Sequence, residues 1–199
     1  MKTIHRARAF LAGVLALLLV VPGAASAYTL SFVPSAETVG FGGLASVAVR
    51  ISGVTPQLPG SPGGLGDYDF EVVFDPAIVA FDNATDAGAL GLAVGLDVAL
   101  LAPGRLNLSA FSLEDPADLL AMQSDSMLLL TLAFTGTGLG TSALDFENIT
   151  VGDVLGTSRT ATANSGSITV VAPPLPEPGT LALLVGAGLI VFGRRCCGK

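Results

Sequence analysis

From Tyr68 to Phe74 the chain places Tyr68, Phe70, Val72 and Phe74 at one parity and Asp69, Glu71 and Val73 at the other. In an extended strand successive side chains point to opposite faces, so this stretch predicts a strand with one buried and one wetter face. The same period recurs along the chain. Val47, Val49 and Ile51 alternate with Ala48 and Arg50, and Leu106, Leu108 and Ala110 with Arg105, Asn107 and Ser109. Leu128, Leu130, Leu132 and Phe134 alternate with Leu129, Thr131 and Ala133. Residues 29–33, 78–81, 94–100, 143–150 and 167–171 are further strand candidates. About nine short strands, separated by Gly, Pro, Asn and Asp, predict an all-β antiparallel sandwich rather than a parallel α/β sheet.

One stretch departs from this pattern. Asp115 followed by Pro116 and then Leu119, Leu120 and Met122 places a capping residue before a proline at the first helical position, which predicts one or two helical turns between strands. Residues 57–66 are dense in Pro and Gly and predict a surface loop.

The ends have a different character. Lys2, Arg6 and Arg8 precede an uncharged apolar run over residues 9–21, and Ala25 and Ala27 bracket a small-x-small exit. This is the three-part pattern of a secretory signal peptide, with cleavage expected after Ala27 by a signal peptidase. Residues 172–178 hold four prolines and predict a stiff linker that ends the domain at 171. An uncharged segment over 178–193 follows, then Arg194, Arg195 and Lys199. As a helix it would be about 24 Å long, short for a hydrocarbon core of about 30 Å, with its basic tail in the cytoplasm.

With the ends set aside, charge narrows the functions open to the domain. Residues 28–178 hold three arginines and all sixteen acidic residues, a formal charge of −13. Such a surface repels nucleic acid and anionic lipid. The same interval has no Cys, His, Lys or Trp. That removes a Ser-His-Asp triad, a cysteine nucleophile, a His/Cys zinc site and a lysine Schiff base. It also removes disulfides, so the core alone must hold the domain.

Pro176-Glu177-Pro178, the apolar segment and Arg194-Arg195 together resemble the PEP-CTERM sorting signal. The resemblance implies transient anchoring in the inner membrane of a Gram-negative, exopolysaccharide-producing bacterium. A membrane-embedded cysteine protease, exosortase, would then cut near Pro178 and release the chain to the cell surface or matrix. Cys196 and Cys197 depart from the usual tail. Within the domain, Gly66-Asp67-Tyr68-Asp69-Phe70-Glu71-Val72-Val73-Phe74-Asp75-Pro76 is followed by Ile78-Val79-Ala80-Phe81, and Leu132-Ala133-Phe134 and Ser165-Gly166-Ser167-Ile168-Thr169-Val170 close the pattern. Together these residues resemble the cohesin-like fold. The resemblance implies a jelly-roll sandwich related to dockerin-binding and carbohydrate-binding modules. The divisions expected are a signal peptide (1–27), the sandwich (28–171), the linker (172–178) and the sorting helix (179–199).

Four acidic residues mark the one candidate site within the domain. Asp67, Asp69, Glu71 and Asp75 share parity and so are expected on one strand face. Hard oxygen ligands suit calcium, but the loop spacing of an EF-hand is absent, and a solvated strand face accounts for the same residues. No metal or cofactor is therefore expected. Nothing marks a raised-pKa carboxylic acid in a cleft, so a glycosidase is not expected either. Asn83, Asn107 and Asn148 begin glycosylation sequons by pattern. The expected function is a non-enzymatic exported protein with a structural or interaction module, its partner a surface protein or exopolysaccharide. The alternative is a carbohydrate-binding module, weakened by the absence of Trp, since sugars dock on flat aromatic faces.

Overall fold

The computed structural model describes residues 28–54 and 63–173. The expected signal peptide, the sorting helix, the linker beyond Pro173 and residues 57–62 of the expected loop lie outside the described residues. Twelve strands and one helix are described: β1 (Tyr28–Val33), β2 (Ala36–Gly40), β3 (Leu44–Ser52), β4 (Asp67–Val73), β5 (Val79–Asp86), β6 (Ala93–Ala102), β7 (Arg105–Ser112), α1 (Pro116–Met122), β8 (Ser126–Gly136), β9 (Gly140–Gly152), β10 (Ser158–Arg159), β11 (Ala161–Asn164) and β12 (Gly166–Val171). One sheet runs β11-β1-β3-β8-β5 and the other β2-β12-β9-β4-β7-β6, with β10 beside β9. The expected sandwich is what forms. The strands beyond the expected nine are β2, β10 and β11, which have five, two and four residues, too few for a sustained apolar alternation.

Alternation does its work in β3, β4 and β7. Val47, Val49 and Ile51, then Tyr68, Phe70 and Val72, then Leu106 and Leu108 are all buried. They meet between the sheets with Leu130, Leu132 and Phe134 of β8. Rings interlock through this layer: Phe146 stacks on Phe32 at 4.2 Å and meets Phe70 edge-on at 5.5 Å, while Phe74 meets Phe134 edge-on at 5.3 Å. Truncating a fully buried Phe in such a core costs about 3–5 kcal/mol.

Strict alternation fails at the start of β8. Val49 pairs with Leu130 and Arg50 with Leu128, so Leu129 is an extra residue on one strand. Such a bulge shifts parity. Leu129 and Leu130 are consequently both buried, and Leu128 is turned out to 39% exposure.

The sheets are antiparallel except at two places: β1 pairs with β11, and β2 with β12, in parallel. Both partners change sheet together. The chain crosses at Pro34-Ser35 after β1 and at Ser165 after β11, and Ser167 N–H donates to Ser35 O there at 2.9 Å. Gly166 stands at this crossing, where a Cβ would lie 3.0 Å from the Phe32 ring. The β6–β7 hairpin turns at Gly104, with φ of 80°, a conformation open to glycine at no steric cost.

The expected helix forms as α1. Asp115 caps it, its carboxylate accepting from Ala117 N–H at 3.0 Å, and Leu119 is buried beneath it. Gln123 follows and ties three segments together. It accepts from Leu65 N–H and donates to Leu65 O, both at 2.7 Å, and donates to Ala89 O at 3.2 Å.

Candidate functional site

The outward face of β9, β4, β7 and β6 gathers the candidate acidic residues. Cross-strand pairing sets Asp97, Ser109, Asp69 and Thr150 in one row across the four strands. In the neighbouring row Phe111 faces Asp67, which faces Gly152. Asp67, Asp69, Asp97, Ser109 and Phe111 line a shallow groove of about 620 Å³. Phe111 is half exposed, so an apolar ring sits among three carboxylates.

Beyond this groove a polar network ties β7, β4 and β9 together through Arg105, Glu71, Glu147 and Asn148. Arg105 pairs with Glu71 and lies 2.7 Å from the Glu147 carboxylate. Asn148 donates to the other oxygen of Glu71 at 2.8 Å. It does so from a bulge where β9 carries one extra residue, with φ of 50°, a region Asn tolerates better than most residues. The Asn148 hydrogen bond, then the Arg105 guanidinium, hold Glu71 below the usual carboxylate range. Asp69 accepts from the Asn107 amide at 2.6 Å. Asp67 behaves oppositely: burial first, and then the nearby Asp153 charge, push its carboxyl above the usual range.

The four sequence candidates therefore separate. Asp67, Asp69 and Glu71 share the face. Asp75 lies beyond the end of β4, exposed in a turn, where its carboxylate accepts from Ala77 N–H at 2.9 Å. The expectation of four carboxylates on one strand face is corrected to three, because the strand gives way to the Asp-Pro turn. Among the described residues no group of three or more His, Cys, Asp or Glu side chains is placed to hold a metal ion. Glu71 is instead engaged by Arg105 and Asn148.

Sequence reasoning passed over Asp97, Ser109, Arg105, Asn107 and Phe111 as site residues. The signal for the last four was present: they occupy the outward parity of β7. Tyr68, by contrast, lies in the core, and Tyr28 is buried with its hydroxyl donating to Gly64 O at 2.6 Å. Neither offers an aromatic platform.

No family model matches the sequence, and no curated protein matches it. Solved structures do match. The seventh ScaB type I cohesin of Pseudobacteroides cellulosolvens superposes with a TM-score of 0.59 at 18% identity, over 76% of this chain and 96% of that one. A non-cellulosomal cohesin from the archaeon Archaeoglobus fulgidus gives 0.56 at 16% identity, over 73% and 92%. The sixth cohesin of Acetivibrio cellulolyticus scaffoldin B, solved in complex with a Cel5 dockerin, gives 0.54 at 17%, over 73% and 99%. The fold is cohesin-like. At these identities the likeness is one of architecture.

The expected processing residues, Ala25, Ala27, Pro176, Glu177, Pro178, Arg194 and Arg195, lie outside the described residues. No helix among the described residues is long and apolar enough to cross a membrane.

Proposed function

We propose that this chain is an exported surface or matrix protein whose sandwich is a non-catalytic module that binds a protein partner. The carrying observation is the groove on the face of β9, β4, β7 and β6, where Phe111 stands among Asp67, Asp69 and Asp97. An exposed ring rimmed by carboxylates suits a cationic side chain, which gains from both the ring face and the charges. A cohesin-like fold supports an interaction role, since the matched structures include cohesin–dockerin complexes. The arrangement of Pro176-Glu177-Pro178, an apolar segment and Arg194-Arg195 supports delivery by an exosortase-type system after signal-peptidase cleavage. Transient anchoring in the inner membrane would precede release.

A photo-reactive residue at Ser109, in the native host, tests the binding face, with the same group at Ser46 on the other sheet as control. One defined protein adduct from position 109 and none from 46 is the expected outcome. Retention on a glycan array without a protein adduct would replace this reading with carbohydrate binding.

A further inference from the structure

The seven-stranded sheet ends at β6, which pairs only with β7 among the described strands. Edge strands expose unpaired backbone N–H and C=O groups, and proteins blunt them with charge, proline or shortness. The other edges are blunted: β5 carries Asp82 and Asp86, while β2 and β11 have five and four residues. β6 has ten residues and a single charge, Asp97. Its two irregularities, between Val94 and Asp97 and between Leu100 and Ala102, bracket a regular stretch. There Asp97, Val98, Ala99 and Leu100 pair one for one with Ser109, Leu108, Asn107 and Leu106.

A second observation concerns Leu100. It stands opposite Leu106, which is fully buried, so it belongs to the core-facing side of the sheet. Yet Leu100 is 62% exposed, and Leu101 beside it 54%. The opposing sheet leaves this end of the core-facing surface uncovered. On the other side of the same stretch Asp97 faces solvent beside the Ser109–Asp69 row.

We infer that the free edge of β6 at Asp97–Leu100 takes an extended, basic peptide segment of a partner protein as an added strand. Backbone hydrogen bonds supply the attachment, and alternate side chains supply selectivity. Apolar residues of the added strand cover Val98 and Leu100; Lys or Arg at the other parity lie opposite Asp97. A second copy of this chain is the poorer occupant, because pairing β6 with itself brings together two domains of formal charge −13 over residues 28–178. The inference goes beyond the proposed function, because a partner seated on the groove face leaves the β6 backbone unpaired.

The test uses the full chain in detergent micelles and a fluorescent hexapeptide of alternating lysine and valine. Two copies accompany it, one with glutamate for lysine and one with N-methylated backbone amides. The lysine peptide is expected to bind and to slow amide exchange in β6, with both copies weaker by about tenfold or more. Asp97→Lys, with an unchanged melting temperature, should weaken the lysine peptide by about tenfold. Phe111→Ala should leave it unchanged, which separates the edge from the groove. No binding, equal binding of the N-methylated copy, or equal binding to the Asp97→Lys chain would overturn the inference. So would a peptide-free dimer that protects the same β6 amides, which would make a second copy the occupant.

Discussion

Arg159 lays its guanidinium against the buried carboxylate of Asp153, six residues earlier, with Nε 2.9 Å from Oδ2. The other oxygen accepts from Leu155 and Thr157 N–H at 2.9 and 3.0 Å. One side chain thus organises the turn that links β9 to β10. Burial alone would raise the Asp153 pKa, but the two N–H groups and Arg159 outweigh it and hold the carboxyl below its usual range. Asp153→Ala removes the buried carboxylate that accepts from Arg159 and from both amides and should cost about 3 kcal/mol in urea melts. A depressed folded-state pKa contributes stability that is present above the unfolded value, about 3.9, and is lost as pH falls through the folded one. Asp153→Asn should therefore flatten part of the acid limb of a plot of melting temperature against pH.

Asp67 has the opposite sign. Its folded-state pKa is raised, so its contribution to stability is present at low pH and lost as pH rises through that value. Asp67→Asn should melt above the parent at pH 7, and the gap should close on acidification. A gap that widens as pH falls would show that Asp67 is not held in the protonation-favouring environment described.

Phe70 and Phe111 separate folding from binding. Phe70 is fully buried, and Phe70→Ala should cost about 3–5 kcal/mol. Phe111 is half exposed, and Phe111→Ala should change stability by no more than about 0.5 kcal/mol while reducing the adduct formed from position 109. Chemical denaturation and the crosslinking yield measure the two effects independently.

The Tyr68 hydroxyl is buried with no hydrogen-bond partner among the described residues, and burial, followed by the Asp86 charge, pushes its pKa up. A buried polar group left unpaired costs about 1–3 kcal/mol. Tyr68→Phe keeps the ring against Phe70 and should stabilise the chain by about 1 kcal/mol in equilibrium unfolding. Destabilisation would show that the hydroxyl has a partner in solution.

Proposed sorting makes a prediction about mass. Protein recovered from the matrix of the native host should begin at Tyr28 and end near Pro178. Replacing Glu177 or deleting Arg194 and Arg195 should leave longer protein in the membrane fraction. Intact-mass spectrometry measures both. A matrix chain that still carries Arg194 to Lys199 would identify the C-terminus as a plain anchor and remove the exosortase step.

Much of the sandwich was legible because period two survives wherever one face is buried and the other wet. Residues 47–51, 68–74 and 105–110 each present that contrast, and each forms a strand with the expected face inward. The capped α1 was legible for a local reason, since Asp115 and Pro116 act within one turn. The charge of −13 and the missing His, Cys and Lys bounded the chemistry without any structure. Leu128 and Leu129 were not legible, because a bulge reverses parity without altering composition. Nor were the parallel pairings of β1 with β11 and β2 with β12, which join residues more than a hundred positions apart.

The site divides in the same way. Sequence placed Asp67, Asp69 and Glu71 on one face, because parity is a local property. It could not say that Arg105 and Asn148 claim Glu71, that Asn107 claims Asp69, or that Asp97 and Phe111 complete a groove. Those relations depend on which strands lie side by side, and strand order is set by closing two sheets over a shared core. Nor could it single out β6 as an open edge among the described strands, since a strand becomes an edge only through the absence of a neighbour. Local alternation determined which residues go inward; pairing across the sheets decided which outward residues meet.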